Sequence, residues 1–496
     1  MLNLPERDAA SRLREYFVQS GYDQERITSL LGGHELPSHR LRNLPRLLAR
    51  TEGESPLHLL VRWFTLGQAA DEAVARRIIP AEVLETMLSA GMLADTGAAF
   101  APQVMLIPWD KHIIACDHAR MIEAGTAEDA VLFPNPTTRL LAHFTVRAKS
   151  RATLDLGTGC GCEAFLAAAH SELVVATDLN PRAIEFAAFN ARLNGIEGIE
   201  FLVGDMFEPV RGRRFDLIVS NPPFFVTPGK LRTFSDNPLE LDEFCRLLVR
   251  AAPAHLEEGG FLQMLCEWVE VTGEPWQERV SRWVEDTGCD ALILKGYSEE
   301  ADRYGHKRIA ETTLWSAEED AALFAEWMRY YRDRQVRSVH GGLIALRKRS
   351  GKNWKRVDEF TFKPPAPFGD YVLRLFDNRD AVEGATEEQL LAARFRIAPE
   401  VVLDQHLRFE GARWQQESLV LRLNGGLHYT AVLQPLVADF VMRFTGRGTL
   451  AEMIAGFAEL DGVKPDQVRK ECLEITRRLV DRGFLTVERG ERPAST

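Results

Sequence analysis

The feature that most constrains the fold is a short apolar strand that breaks into a glycine loop and restarts as a helix. Thr153–Leu156 is followed by Gly157-Thr-Gly159-Cys-Gly161, and a helix runs from about Cys162 to His170. Strands and helices then alternate. Leu173–Thr177 reads as a strand, Pro181–Leu193 as a helix with proline in its first turn, and Ile199–Val203 and Leu217–Ser220 as strands. Helix Leu239–His255 leads through Gly259-Gly260 into strand Phe261–Cys266. Strand Ala291–Leu294, helix Ala317–Arg332 behind a capping box Ser316-Ala-Glu-Glu319, and strand Gly342–Leu346 complete the series. Such alternation builds an α/β domain with a mostly parallel, doubly wound sheet. Its ligands belong beyond the carboxyl ends of the strands.

The rest of the 496 residues is too long for one domain, at roughly 150 residues per domain. Residues 1–125 read as a mostly helical domain with amphipathic stretches Pro56–Leu66 and Ala81–Ala90. The second is stopped by Gly91 and followed by a polar turn at Asp95-Thr-Gly97 and alternating runs near Phe100–Ile107 and His112–Cys116. Helix, glycine stop and hairpin make a winged-helix-like pattern. Residues 360–496 end the same way, with helix Pro465–Asp481 before Gly483-Phe-Leu-Thr-Val-Glu. The sheet domain takes residues 126–350, and Lys352–Asp370, with Pro364-Pro365-Ala-Pro367, reads as the linker behind it.

Composition excludes several classes. No apolar run reaches the roughly 18 residues of a membrane span, and Met1–Arg7 lacks the charged and apolar regions of a secretory signal. The seven cysteines are scattered without paired CxxC spacing, so reduced thiols in the cytoplasm are expected and no metal site. A formal charge of −12 argues against broad nonspecific wrapping of nucleic acid but leaves room for a local basic patch.

The glycines at 157, 159 and 161 let backbone approach a ligand where a Cβ would collide, and the helix that follows offers N–H groups to an anion. The loop matches neither GxGxxG nor GK[ST]. Asp178 ends the second strand and is placed to accept from ribose hydroxyls, flanked by Leu179. Asp205, next to Met206, ends the third and is placed to accept from an adenine amino group. Asp155 and Thr158 complete the set of candidate cofactor residues with Asn221.

The fourth strand runs into Asn221-Pro222-Pro223-Phe224. Two prolines stiffen the turn and turn its carbonyls outward. The Asn221 side-chain oxygen and the Pro222 carbonyl can each accept one hydrogen of a planar NH2 group, and Phe224 can stack on its face. These four are the candidate catalytic residues. The nitrogen of such a group is a weak nucleophile, because its lone pair is delocalised. Two acceptors favour a geometry with the lone pair aimed at an incoming methyl group, so positioning supplies much of the rate.

Asp155–Gly161, Asp178, Asp205 and Asn221–Phe224 together resemble the class I S-adenosylmethionine-dependent methyltransferases of the N-methylating branch, over about residues 130–350. The resemblance implies a seven-stranded sheet, S-adenosylmethionine as cofactor, and an acceptor among adenine N6, cytosine N4, guanine N2 or a glutamine amide. Upstream, Leu132–Leu141 is similar to the Pro-x-Pro-x-Thr-x-x-Leu segment of the protein-glutamine methyltransferases that modify release factors. That similarity implies that Pro134, Pro136 and Thr138 line the methionine end of the cofactor. Thr137 stands where that family has an acid.

Arg347–Arg356 carries six basic residues and Trp354; a solvated strand end and linker is the first reading, an RNA-gripping patch the second. Tyr304-Gly-His-Lys-Arg308 reads as a loop inserted between strands six and seven, Phe225–Asn237 as a substrate lid, and His340 as a turn histidine. The expected function is transfer of a methyl group to a planar NH2 of a macromolecule, with protein or peptide glutamine favoured. The alternatives are an RNA or DNA base (adenine N6 or guanine N2), a small molecule, and a non-enzymatic regulator that binds nucleic acid.

Overall fold

A computed structural model describes residues 2–33, 43–118, 129–229, 235–236, 239–312, 317–360, 366–460 and 462–488. Two compact units result: residues 1–142 with 148–359, and residues 143–147 with 360–496. No helix among the described residues is long and apolar enough to cross a membrane.

The first unit is built on one sheet. Its strands are β1 (Ser150–Leu156), β2 (Ser171–Asp178), β3 (Ile199–Val203), β4 (Phe215–Ser220), β5 (Leu256–Val271), β6 (Cys289–Glu300), β7 (Val336–Lys348) and β8 (Lys355–Glu359). They lie in the order β3-β2-β1-β4-β5-β7-β6-β8. Strands β1 to β5 are parallel, and β7 is antiparallel to both β5 and β6. The expected seven strands are thus eight. The eighth comes from the segment read as linker: Lys355–Glu359 pairs parallel to Ala291–Lys295 at the sheet edge. Its four charged residues around Val357 hid it, because an edge strand is held by main-chain bonds and needs little apolar pattern.

Strands β5, β6 and β7 also run past the end of β4. Cys266–Val271, Lys295–Glu300 and Val336–His340 keep pairing with one another beyond the point where β4 ends. Between β6 and β7 stand two helices, α1 (Ala301–Thr312) and α2 (Ala317–Asp333). The Tyr304–Arg308 segment is therefore helix, not the expected loop. The expected cap Ser316 lies outside the described residues.

The N-terminal segment, read above as a domain ending near residue 125, shares its core with the sheet domain. One apolar cluster gathers Leu13, Phe17, Trp63, Phe64, Phe100 and Ile114 with Phe165, Phe186, Phe189 and Leu193. Helix Ala81–Ser89 ends at Gly91 as expected: the Met92 N–H closes back on Met87 and Gly91 takes φ 75°. Strand Leu93–Asp95 pairs with Ala99–Pro102, and Met105–Trp109 pairs with His112–Cys116.

Two asparagines one turn apart join these parts. Helix Pro181–Asn194 presents Asn190 and Asn194, both buried, to strand His112–Cys116. The Asn190 amide accepts from the Ala115 N–H (2.8 Å) and donates to the Ala115 carbonyl (2.9 Å), as a neighbouring strand would. It also donates to the Cys160 carbonyl at 3.0 Å, inside the glycine loop. Asn194 does the same for Ile113, at 2.9 and 2.8 Å.

The second unit contains helices Gly369–Val382 and Glu387–Ala392 and a three-stranded antiparallel sheet of Thr445–Thr449, Arg394–Ile397 and Leu485–Glu488. A long hairpin, Val401–Glu410 against Arg413–Leu423, is extended by Thr430–Leu433. Helix Pro465–Asp481 stands where its amphipathic pattern put it.

Asn190→Ala should strand three buried main-chain and loop bonds without a clash, and at about 1 kcal/mol each lower unfolding stability by about 3 kcal/mol. Urea titration checks this, and a loss below about 1 kcal/mol would show that the clamp contributes little.

Candidate active site

The glycine loop leaves β1 at the centre of the parallel sheet. Leu156 pairs with Thr177 of β2 on one side and with Ser220 of β4 on the other. This register places Gly157 beside both Asp178 and Asn221. The Ser220 hydroxyl donates to the Leu156 carbonyl at 2.8 Å and ties the two strand ends together.

The loop satisfies its own backbone and keeps its outer face open. The N–H groups of Gly157 and Thr158 both donate to the Thr177 carbonyl at 2.9 Å. The Gly159 N–H donates to Asp178 Oδ2 at 2.9 Å. Gly157 and Gly159 have φ of +77° and +54°, and a Cβ on either would meet nothing within 4 Å. The glycines thus serve a left-handed backbone whose outer side is free for a ligand.

Asp155 is buried beneath the loop. Its Oδ2 accepts from the Thr158 hydroxyl at 2.6 Å and from the Ala164 N–H at 2.9 Å. Burial pushes its carboxyl up to about 7, against the pull of those two donors. The helix Cys162–Ala167 is only six residues long. Because Ala164 N–H is committed to Asp155, the expected anion site at this helix start loses one of its donors. Cys160 and Cys162 are buried, with sulfurs 3.7 Å apart.

Asp178 accepts one N–H on each oxygen, from Gly159 and from Asn180 (2.9 Å). A carboxylate has about four lone-pair sites, so acceptor capacity remains. Burial raises its pKa and the adjoining N–H groups of Asn180, Gly159 and Leu179 oppose that. Asp205 is exposed at the end of β3, and Met206 beside it holds a positive φ of 44°. Leu179 and Val203, large apolar residues at the same strand ends, are 58% and 50% exposed.

Asn221 is half-buried, and among the described residues its amide and the Pro222 carbonyl have no hydrogen-bond partner. Pro223 is half-buried. Phe224 is buried, its ring set edge-on to Phe225 at 5.3 Å. Pro134 and Thr138 flank the start of helix Pro136–Phe144, where Asn135 caps with bonds to the N–H groups of Thr137 and Thr138. Among the described residues the Thr138 hydroxyl bonds within this turn, to Asn135. The structure therefore brings together Asp155, Gly157, Thr158, Gly159, Gly161, Asp178, Leu179, Asp205, Met206 and Asn221 at adjacent strand ends, and shows Pro134 and Thr138 in a turn of their own.

S-adenosylmethionine fits this cradle: open glycine backbone, an acid with spare lone pairs, exposed apolar side chains for a flat ring, and a free amide next to them. Asp155 to Thr158, Asp178 and Asp205 would hold it. The group supplies a methyl on a positively charged sulfur.

Residues 134–268 match the family described as methyltransferase small domain. The release factor glutamine methyltransferase of Aquifex aeolicus (strain VF5) is 33% identical over 203 residues, which cover 38% of this chain and 68% of that protein. The chain belongs to the small-domain methyltransferases. This methyltransferase is also 37% identical over 156 residues to the release factor glutamine methyltransferase of Xylella fastidiosa (strain 9a5c), covering 28% of the chain and 56% of the relative. With the ribosomal protein uL3 glutamine methyltransferase of Bradyrhizobium diazoefficiens it shares 32% identity over 155 residues, 28% of the chain and 49% of that protein. It thus spans about half the length of these two relatives. Residues 19–103 and 375–487 match two domains of unknown function, DUF7059 and DUF7782.

The other candidates fare differently. Arg347 is buried and paired with Asp290 at 2.8 Å, Lys348 donates to the Pro253 carbonyl, and Lys355 and Arg356 pair with Glu285 and Asp358. Trp354 is buried. The basic run is strand end rather than patch. His340 lies within β7, not in a turn, with its pKa lowered to about 4, chiefly by burial. Residues 230–234 and 237 of the expected lid lie outside the described residues. Sequence reasoning missed Glu267, although an acid inside the apolar run Phe261–Val269 was the available signal.

A carboxyl raised from 3.8 to about 7 stays protonated in the folded chain when the unfolded chain has lost its proton. Its contribution to stability is complete below pH 3.8 and lost as pH rises through about 7. S-adenosylmethionine carries a net positive charge and favours the ionised form. Its affinity should rise with pH up to about 7 with proton release, then level off, and Asp155→Asn should flatten the profile. Calorimetry in buffers of different ionisation enthalpy measures both; a flat profile in the unmodified protein would contradict the assignment.

Proposed function

We propose that this chain transfers a methyl group from S-adenosylmethionine to a planar NH2 group of a protein, with a glutamine side-chain amide as the acceptor. The observation that carries this reading is Asn221: a half-buried amide with no partner among the described residues, fixed by β4 next to the glycine loop. The relatives named for release factor and ribosomal uL3 glutamine methylation support the acceptor class.

In this reading the Asn221 Oδ1 and the Pro222 carbonyl each accept one N–H of the acceptor. Held so, the nitrogen turns its lone pair towards the methyl carbon. S-adenosylmethionine bound there would supply the methyl group, and the nitrogen, held by Asn221 and the Pro222 carbonyl, would release one N–H proton to water. Pro222 and Pro223 keep the turn from relaxing, and Phe224, though buried, shapes the wall behind it. No side chain has to remove a proton first, which suits a site whose nearest acids are engaged in the loop.

Residues 450–488 supply helix, helix and strand, and residues 81–102 supply helix and hairpin. We read both as winged-helix-like recognition modules for the acceptor. The seven free buried thiols suit a reducing, cytoplasmic setting. A nucleic-acid base as acceptor gains little from the basic run Arg347–Arg356, whose charges are mostly paired.

The test is tritiated S-adenosylmethionine with purified release factor, ribosomal protein uL3 and total RNA in parallel. Label should enter a protein, and Asn221→Ala should cut turnover by about a hundredfold, the order lost with one preorganised partner of a reacting group. Label in RNA alone, or unchanged turnover in the variant, would reject the reading.

A further inference from the structure

Strand β5 carries the acid Glu267 into a fully buried position. Met264 of β5 pairs with Ser220, the last residue of β4. Glu267 thus lies on the part of β5 that continues alongside the chain leaving the Asn221–Phe224 turn. It is 0% exposed. Its carboxylate accepts from Tyr297, from Tyr304 of α1 at 2.5 Å, and from Arg308 of α1 at 3.1 Å.

The same groups converge on the two residues that follow the turn. The Val226 N–H donates to the Tyr304 hydroxyl at 3.1 Å. The Val226 carbonyl accepts from the Tyr331 hydroxyl of α2 at 2.7 Å. The Arg308 guanidinium lies 3.7 Å from the centroid of the Phe225 ring. Val226, Tyr304 and Tyr331 share one apolar cluster with Val269, Ile309 and Trp327.

Stability alone is a poor reason for this arrangement. A buried ion pair with its hydrogen bonds is often matched or exceeded in stability by apolar residues of similar volume. What the polar network adds is direction, since every donor and acceptor has a single satisfying geometry. Here that geometry fixes one residue, Val226, on both its N–H and its C=O, two residues after Phe224. A rigid exit is what a turn built on positioning requires, because a displacement of about 1 Å at a reacting group can cost about a hundredfold in rate.

We infer that Glu267 is a positioning residue for the Asn221–Phe224 turn, acting through Tyr304 and Arg308 of the helical pair inserted between β6 and β7, while Tyr331 of the same pair holds the Val226 carbonyl. The inference rests on the proposed role of that turn. The helices α1 and α2 then serve as a brace rather than as a substrate loop. The acceptor-facing atoms stay those of the turn itself.

The experiment uses the full-length chain with Glu267→Gln, Tyr304→Phe and Tyr331→Phe. Amide hydrogen exchange resolved at Val226 is measured along with calorimetric binding of S-adenosylmethionine and steady-state transfer to purified release factor. In each variant Val226 exchange should rise by tenfold or more, while exchange in residues 153–161 and cofactor affinity stay within twofold. Transfer should lose tenfold or more in kcat with the KM for release factor within threefold. Tyr304→Phe removes the hydroxyl that links Glu267 to the Val226 N–H and leaves the Glu267–Arg308 pair intact, so it is read if Glu267→Gln does not fold.

Unchanged Val226 exchange in the folded variants would overturn the inference. So would raised exchange with unchanged kcat, or a loss of cofactor affinity in proportion to kcat, which marks general loosening. If the unmodified protein transfers no methyl to any protein, the proposed function fails, and the exchange data alone still decide whether Glu267 orders the segment.

Discussion

The structure depends on the register of one strand. β1 is flanked by β2 and β4, and Leu156 pairs with Thr177 and Ser220 at once. The period of a strand is two, so a slip of one residue would turn Asp155 from beneath the loop to the opposite face. The apolar residues Leu154 and Leu156, both buried, hold the register from within the sheet. The Ser220 hydroxyl on the Leu156 carbonyl holds it at the strand ends. Once it is fixed, the loop, Asp178 and Asn221 are neighbours without any further device.

The loop is supported from below by a part of the chain far away in sequence. Asn190 bonds the strand His112–Cys116 and the Cys160 carbonyl with one side chain. The N-terminal segment is therefore more than an appendage: through this asparagine its hairpin shares hydrogen bonds with the backbone of the glycine loop. A buried amide is suited to this, since it offers donors and an acceptor to a strand edge that would otherwise leave its groups unpaired. The arrangement couples the stability of the hairpin to the shape of the site.

On the other side, the extended β5–β7–β6 ladder and its helical pair brace the exit of the Asn221–Phe224 turn. Loop and turn are thus held by polar contacts from two different elements, one on each flank. Both use buried polar networks, whose directional bonds specify an arrangement more strongly than apolar packing does. Leu179, Val203 and Asp205, at the ends of β2 and β3, stay exposed.

The sequence by itself determined the glycine loop, the acids at the strand ends and the Asn221–Phe224 turn, because each is a local pattern whose residues lie within a few positions of one another. It also determined the alternation that makes the sheet, and helices such as Pro465–Asp481, whose apolar period is long enough to read. Only the tertiary structure decided the eighth strand, the long ends of β5 to β7 and the hairpin Val401–Leu423. The eighth strand and the hairpin are charged or exposed and are held by main-chain pairing, which leaves no periodic trace. It alone decided that Trp354 is buried, that the Tyr304–Arg308 segment is a helix, and that Glu267 meets Tyr304, Arg308 and the Val226 segment. Contacts between residues tens of positions apart follow from how the strands are ordered, and no local pattern of residues encodes that order.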